Sequence, residues 1–126
     1  MNPFLFVGLG GIAGAISRYS VSKWADYRWP GWFPTGTFAV NVLGSFLLGL
    51  LVGFNLMGHP LWGNHYLFLG TGFMGSFTTF STFSLEVVGL LKREKFLLAL
   101  RYPLFTLLAG ISAAALGIAA SGYLVS

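Results

Sequence analysis

The sequence predicts an all-α integral membrane protein, a single domain over residues 1–126 with four transmembrane helices, the third of them broken. Three observations predict this. Residues are 56% hydrophobic and only 8% charged, against about a quarter charged in a soluble domain, so a water-facing surface cannot be built. Four apolar stretches are each long enough for a ~30 Å hydrocarbon core, which a helix crosses in ~20 residues. The third stretch carries Gly, Ser and Thr at a density that a continuous helix tolerates poorly.

The first span runs from about residue 3 to 21, and no Lys or Arg precedes Arg18. A secretory signal needs a basic region ahead of its apolar core, so this stretch is expected to remain as a span. The second runs from about 33 to 57, with Pro34 suited to the first helical turn. The third covers about 66–91 and the fourth about 96–125. The connections are short, at 23–30, 58–65 and 92–95, and Trp24, Trp29, Trp32 and Trp62 fall in or beside them as an interfacial aromatic belt.

Glycine is abundant, at 18 residues, and small residues recur every four positions: Gly10 and Gly14, then Ser45, Gly49 and Gly53, then Ala109, Ala113, Gly117 and Ser121. Such stripes let helices approach closely in lipid, and are expected to pack against other helices of the chain and of a second copy. Gly8-Leu9-Gly10-Gly11-Ile12-Ala13 matches a dinucleotide fingerprint. That motif needs a preceding strand and a βαβ unit, whereas here it lies inside an apolar run and reads as helix packing.

Few chemistries remain. The chain has no cysteine and only three acids, Asp26, Glu86 and Glu94. No catalytic triad, carboxylate pair or metal-ligand cluster can be assembled from these, so an enzyme is not expected. The basic residues sit at segment ends and read as headgroup anchors. Lys23, Arg28, Lys92, Arg93 and Lys95 share one side of the membrane, and the positive-inside rule puts both termini outside.

The informative region is 70–84, where three Gly and a series of hydroxyls lie deep in a span. Backbone freed by a break at that depth must be buried in protein or line a wet cavity, and broken helices build ion sites in transporters. Thr37, Asn41 and Ser45 share one face of the second span, which suits either interhelical hydrogen bonding or a polar track. Phe80 and Phe83 share a face of the third.

Three motifs then appear in order: Gly10-Gly11-x-x-Gly14-Ala15-x-x-Arg18-Tyr19; Gly36-Thr37-x-x-x-Asn41-x-x-Gly44; and Gly72-x-x-Gly75-x-Phe77-Thr78-Thr79-Phe80-Ser81-Thr82-Phe83. Together they resemble the signature of the Fluc fluoride channels, also called the CrcB family. The resemblance implies a passive, fluoride-selective channel in a prokaryotic cell membrane that reduces fluoride toxicity. It also implies an antiparallel homodimer of dual topology with two pores. Asn41 would face the pore, and Phe80 and Phe83 would present ring edges. Thr37, Thr79, Ser81 and Thr82 would supply hydroxyls, and Tyr102 and Thr106 would continue the track from the fourth span. Arg18 would stand in the vestibule and Glu86 at the far mouth. Backbone carbonyls of Gly75 and Thr78 would hold a structural Na+ at the dimer centre.

The alternative is a small dimeric proton-coupled multidrug-type transporter, which needs an acid at mid-membrane. None lies there. One tension stands: the one-sided charge favours a single orientation, whereas the antiparallel dimer needs both. The dimer is given precedence, because an inverted partner would cover polar groups otherwise facing lipid.

Overall fold

The computed structural model describes residues 2–31, 33–58 and 63–125. The expected interfacial residues Trp32, His59 and Trp62 lie outside them. Helix α1, Pro3–Arg28, starts where the Asn2 side chain accepts the Phe4 amide at 2.9 Å and Pro3 takes the first position. It continues past residue 21, through most of the stretch read from sequence as a connection. No helix breaker occurs before Pro30. In this extension the Arg28 guanidinium lies 5.4 Å from the Trp29 ring centre and Trp24 is edge-on to Trp29.

Helix α2, Thr35–Leu56, begins one residue after Pro34, which stands at its N-cap and not in its first turn. The cap comes from α1. The Gly36 amide donates to Asp26 Oδ1 at 2.9 Å, and the Thr35 hydroxyl donates to the same oxygen at 3.1 Å. Asp26, placed by sequence only in the 23–30 connection, therefore caps the positive end of α2.

The third crossing is assembled from pieces. A short helix α3, Gly63–Tyr66, leads into a π-helix, Leu67–Met74, and a single turn α4, Gly75–Phe77. The chain extends at Thr78 (φ −82°, ψ 155°) and resumes as α5, Ser81–Lys92. Helix α5 closes with the Lys95 amide on the Leu90 carbonyl and the Glu94 amide on that of Leu91, Glu94 being left-handed at φ 59°. Helix α6, Phe96–Val125, crosses with Pro103 inside it. Among the described residues three helices are long and apolar enough to span alone: Pro3–Arg28, Thr35–Leu56 and Phe96–Leu124.

The small-residue stripes are used within the chain. A side chain at Gly14 would overlap the Phe73 carbonyl, and one at Gly49 the Ala114 carbonyl, so α1 lies directly on the π-helix and α2 directly on α6. Ser121 fits against Gly53, and Gly117 against Phe46. Val40, Met74 and Phe77 form one buried cluster, and Leu90, Ala99 and Tyr102 another. These contacts hold the two ends of the broken segment while leaving the break on one side of the bundle.

The cap predicts that Asp26→Ala lowers stability in detergent by about 1–2 kcal/mol, read from thermal unfolding, while Asp26→Asn loses less because its side-chain oxygen still accepts. An unchanged midpoint for Asp26→Ala would show that α2 does not depend on this contact.

Candidate ion pathway at the broken third crossing

At the break the backbone needs new partners, and Asn41 supplies two of them. Its Nδ2 donates to the Thr79 carbonyl at 3.0 Å, and its Oδ1 accepts from the Thr79 amide at 2.9 Å. The side chain thus pairs with one residue's backbone as a neighbouring strand would. One N–H of the amide is left over, since the group has two and this clamp uses one. Thr79 Oγ1 accepts from the Thr82 amide at 3.3 Å and so caps α5. The Thr78 hydroxyl turns back to the Met74 carbonyl at 3.1 Å.

These bonds redirect the helix. In an α-helix each amide closes on the carbonyl four residues back. The Thr79 amide would close on Gly75 and that of Thr82 on Thr78. Both are taken by side chains instead, and neither carbonyl receives a backbone hydrogen bond from them. Gly75 has open space where a side chain would stand.

Two cavities flank this geometry. An open groove of about 690 Å³ runs from Asn41 and Ser45 past Thr78, Thr79, Phe80 and Phe83 to Pro103 and Thr106. A second, of about 360 Å³, is lined by Pro34, Thr82, Glu86 and Arg93 among others. Between α2 and α5 the Thr37 hydroxyl donates to the Glu86 carboxylate. Tyr102 is fully buried, its ring 5.1 Å from Phe83 and 5.5 Å from Phe33. Its hydroxyl and that of Thr106, one turn on, are buried with no hydrogen-bond partner among the described residues. Unmet buried hydroxyls are costly; Thr106 lies in the groove lining, whereas Tyr102 lines neither cavity.

The sequence-derived candidates largely converge here. Thr37 and Asn41 both reach the third crossing, Asn41 at the break itself and Thr37 beyond it on α5, whereas Ser45 bonds its own helix at the Asn41 carbonyl. Phe80 and Phe83 lie 6.1 Å apart, with Phe80 79% exposed and Phe83 half-buried. Ser81 and Thr82 begin α5 and are exposed. Arg18 is half-buried on α1 and lines neither cavity. Sequence reasoning passes over Pro103, which lines the groove and cannot bond the carbonyl of buried Ala99; a proline inside a long apolar run is the signal that marks it.

A short multi-span chain whose third crossing is interrupted by a polar break, clamped by a neighbouring helix and opening on a groove, belongs to the class of membrane channels and transporters. Comparison with known proteins narrows the class. Residues 5–118 match the sequence model of the family described as CrcB-like protein, Camphor Resistance (CrcB). The chain is 46% identical over 122 residues to fluoride-specific ion channel FluC 2 of Bacillus thuringiensis subsp. konkukian, covering 97% of this chain and 99% of that one. It is likewise 46% identical over 115 residues to fluoride-specific ion channel FluC 1 of Listeria innocua serovar 6a, covering 91% and 93%. FluC 2 of Moorella thermoacetica gives 46% over 121 residues, covering 96% and 98%. The chain belongs to the CrcB family of membrane proteins.

The two rings predict different stability costs. Phe83→Ile loses its contact with Tyr102 and should destabilise the dissociated single chain by about 1 kcal/mol beyond lost area, while the same chain's midpoint should barely change in Phe80→Ile. Equal losses in thermal melts would contradict the exposed placement of Phe80.

Proposed function

We propose that the protein is a passive, fluoride-selective channel that lets fluoride leave the cell, and that two inverted copies assemble to form it. The observation that carries this reading is the polar break with its groove, lined by neutral donors and ring edges with no Lys or Arg among them. The relatives named as fluoride-specific channels supply the ion, and their bacterial origin supports a multi-pass protein of a prokaryotic cell membrane.

The chemistry suits a small, strongly hydrated anion. An isolated buried ion costs on the order of tens of kcal/mol, so its water must be replaced along the path. The unpartnered hydroxyls of Tyr102 and Thr106 and the spare N–H of Asn41 are neutral donors. Thr79, Ser81 and Thr82 add hydroxyls near the start of α5, and Thr37 and Glu86 stand at its far side. Phenyl edges at Phe80 and Phe83 offer the positive rim of the ring quadrupole. Neutral donors release the ion as well as bind it, which conduction requires. An inside-negative potential drives an anion outward by about 2.3 kcal/mol per 100 mV, so no coupled proton is needed. The protein acts as a conduit and not as an enzyme.

The face left open supports the inverted second copy. Phe80, Ser81 and the groove lie exposed on the single chain, and lipid is a poor cover for polar backbone and hydroxyls. A structural Na+ at the dimer centre suits the carbonyls of Gly75 and Thr78, whose α-helical partners, the Thr79 and Thr82 amides, bond side chains instead. A hard cation takes oxygen ligands, and there it would neutralise converging dipoles and set a fixed positive charge between two anion paths. Arg18 would add positive charge in the vestibule.

Purified protein in liposomes loaded with potassium fluoride should release fluoride once valinomycin balances charge, with no proton gradient imposed. Phe80→Ile should slow this about tenfold, the equivalent of one lost ring-edge interaction at the barrier. Release that requires a proton gradient, or chloride leaving as fast as fluoride, would overturn the assignment.

A further inference from the structure

We propose that Asn41 and the Thr79 hydroxyl are positioning groups for the cation site: by capturing the amides of Thr79 and Thr82, they keep the carbonyls of Gly75 and Thr78 free to bind a monovalent cation. This rests on the sodium reading above and assigns its support to two side chains that do not themselves touch the ion.

The argument is one of substitution. Two amides are diverted at the break, and each would otherwise close on one of these carbonyls. Asn41 Oδ1 takes the first at 2.9 Å, and Thr79 Oγ1 takes the second at 3.3 Å. Asn41 does more than accept. Its Nδ2 also holds the Thr79 carbonyl at 3.0 Å, so the whole residue is fixed and cannot swing back into helical register. Without the amide, the extended backbone at Thr78 would have a ready alternative: one more helical turn, which satisfies the Thr79 amide by consuming the Gly75 carbonyl. Loss of the Thr79 hydroxyl does the same for Thr82 and Thr78. Gly75 opens the short turn α4 and Thr78 follows its last residue, so the two carbonyls bracket the turn, and Gly75 leaves the approach unobstructed.

Asn41 thus has two separable duties. One N–H and the side-chain oxygen hold the break open, and the second N–H faces the anion path. Variants of Asn41 would then lose flux for two reasons, and a cation-binding readout separates them.

The test uses the purified assembled protein, unfolded thermally while sodium chloride replaces choline chloride at constant ionic strength. The sodium concentration giving half the maximal stabilisation reports affinity. Removing a group that orients a metal's ligands typically weakens binding about 10–100-fold, so Asn41→Leu and Thr79→Val should each raise this concentration at least about tenfold. Thr79→Ser keeps the hydroxyl and should retain the original value, a rescue that a loss of general packing would not produce. If Asn41→Leu fails to assemble, the Thr79→Val and Thr79→Ser pair decides alone. Unchanged sodium affinity in Thr79→Val overturns the proposal while leaving the sodium reading intact. An unsubstituted protein that gains no stability from sodium over choline overturns that reading, and this inference with it.

Discussion

The interaction on which the rest depends is the double hydrogen bond between the Asn41 side chain and the backbone of Thr79. A lipid interior supplies no water to repair an interrupted helix, and each unmet backbone group there costs several kcal/mol. A break at that depth therefore exists only if the protein provides partners. Here one amide side chain matches both polar groups of a single residue, and a threonine hydroxyl caps the helix that resumes. The Gly75 and Thr78 carbonyls, which the diverted Thr79 and Thr82 amides do not reach, and the hydroxyls of Tyr102 and Thr106 are the polar groups the break leaves over.

The remainder of the fold serves to keep this feature in place. Gly14 brings α1 onto the π-helix before the break, and Gly49 with Gly117 brings α6 onto α2. Tyr102 is wedged between Phe33 and Phe83, which ties α6 to the start of α5. Because the small-residue faces are already occupied inside the chain, they do not offer a surface for a partner. The uncovered polar surface is the break itself.

The helical class, the long apolar helices and the break were legible from composition and from the Gly, Ser and Thr density at 70–84. The shared polar face of Thr37, Asn41 and Ser45 was legible too, but not which crossing Thr37 and Asn41 would bond. Three further things were not. The end of α1 was misplaced because Lys23, Asp26 and Arg28 mark an interface, and a helix can continue through an interface. The role of Asp26 depends on a contact across ten residues, from Asp26 to Gly36, that no local pattern encodes. The π-helix was invisible, since no local residue pattern marks its wider turn, which lies packed against α1 at Gly10 and Gly14.

The central claim is that this polar break is completed by an inverted second copy. Charge placement resists it, because Lys23, Arg28, Lys92, Arg93 and Lys95 lie on one side and favour a single orientation. Insertion bias acts before assembly, however, and only a minority of inverted chains is needed for dimers to capture them. The chain has no cysteine, so one placed at Ser126, outside the described residues, reports orientation alone. With an impermeant maleimide on intact cells, the account predicts partial labelling that is completed only after permeabilisation. Complete labelling from outside would mean one orientation, and would contradict the inverted pair.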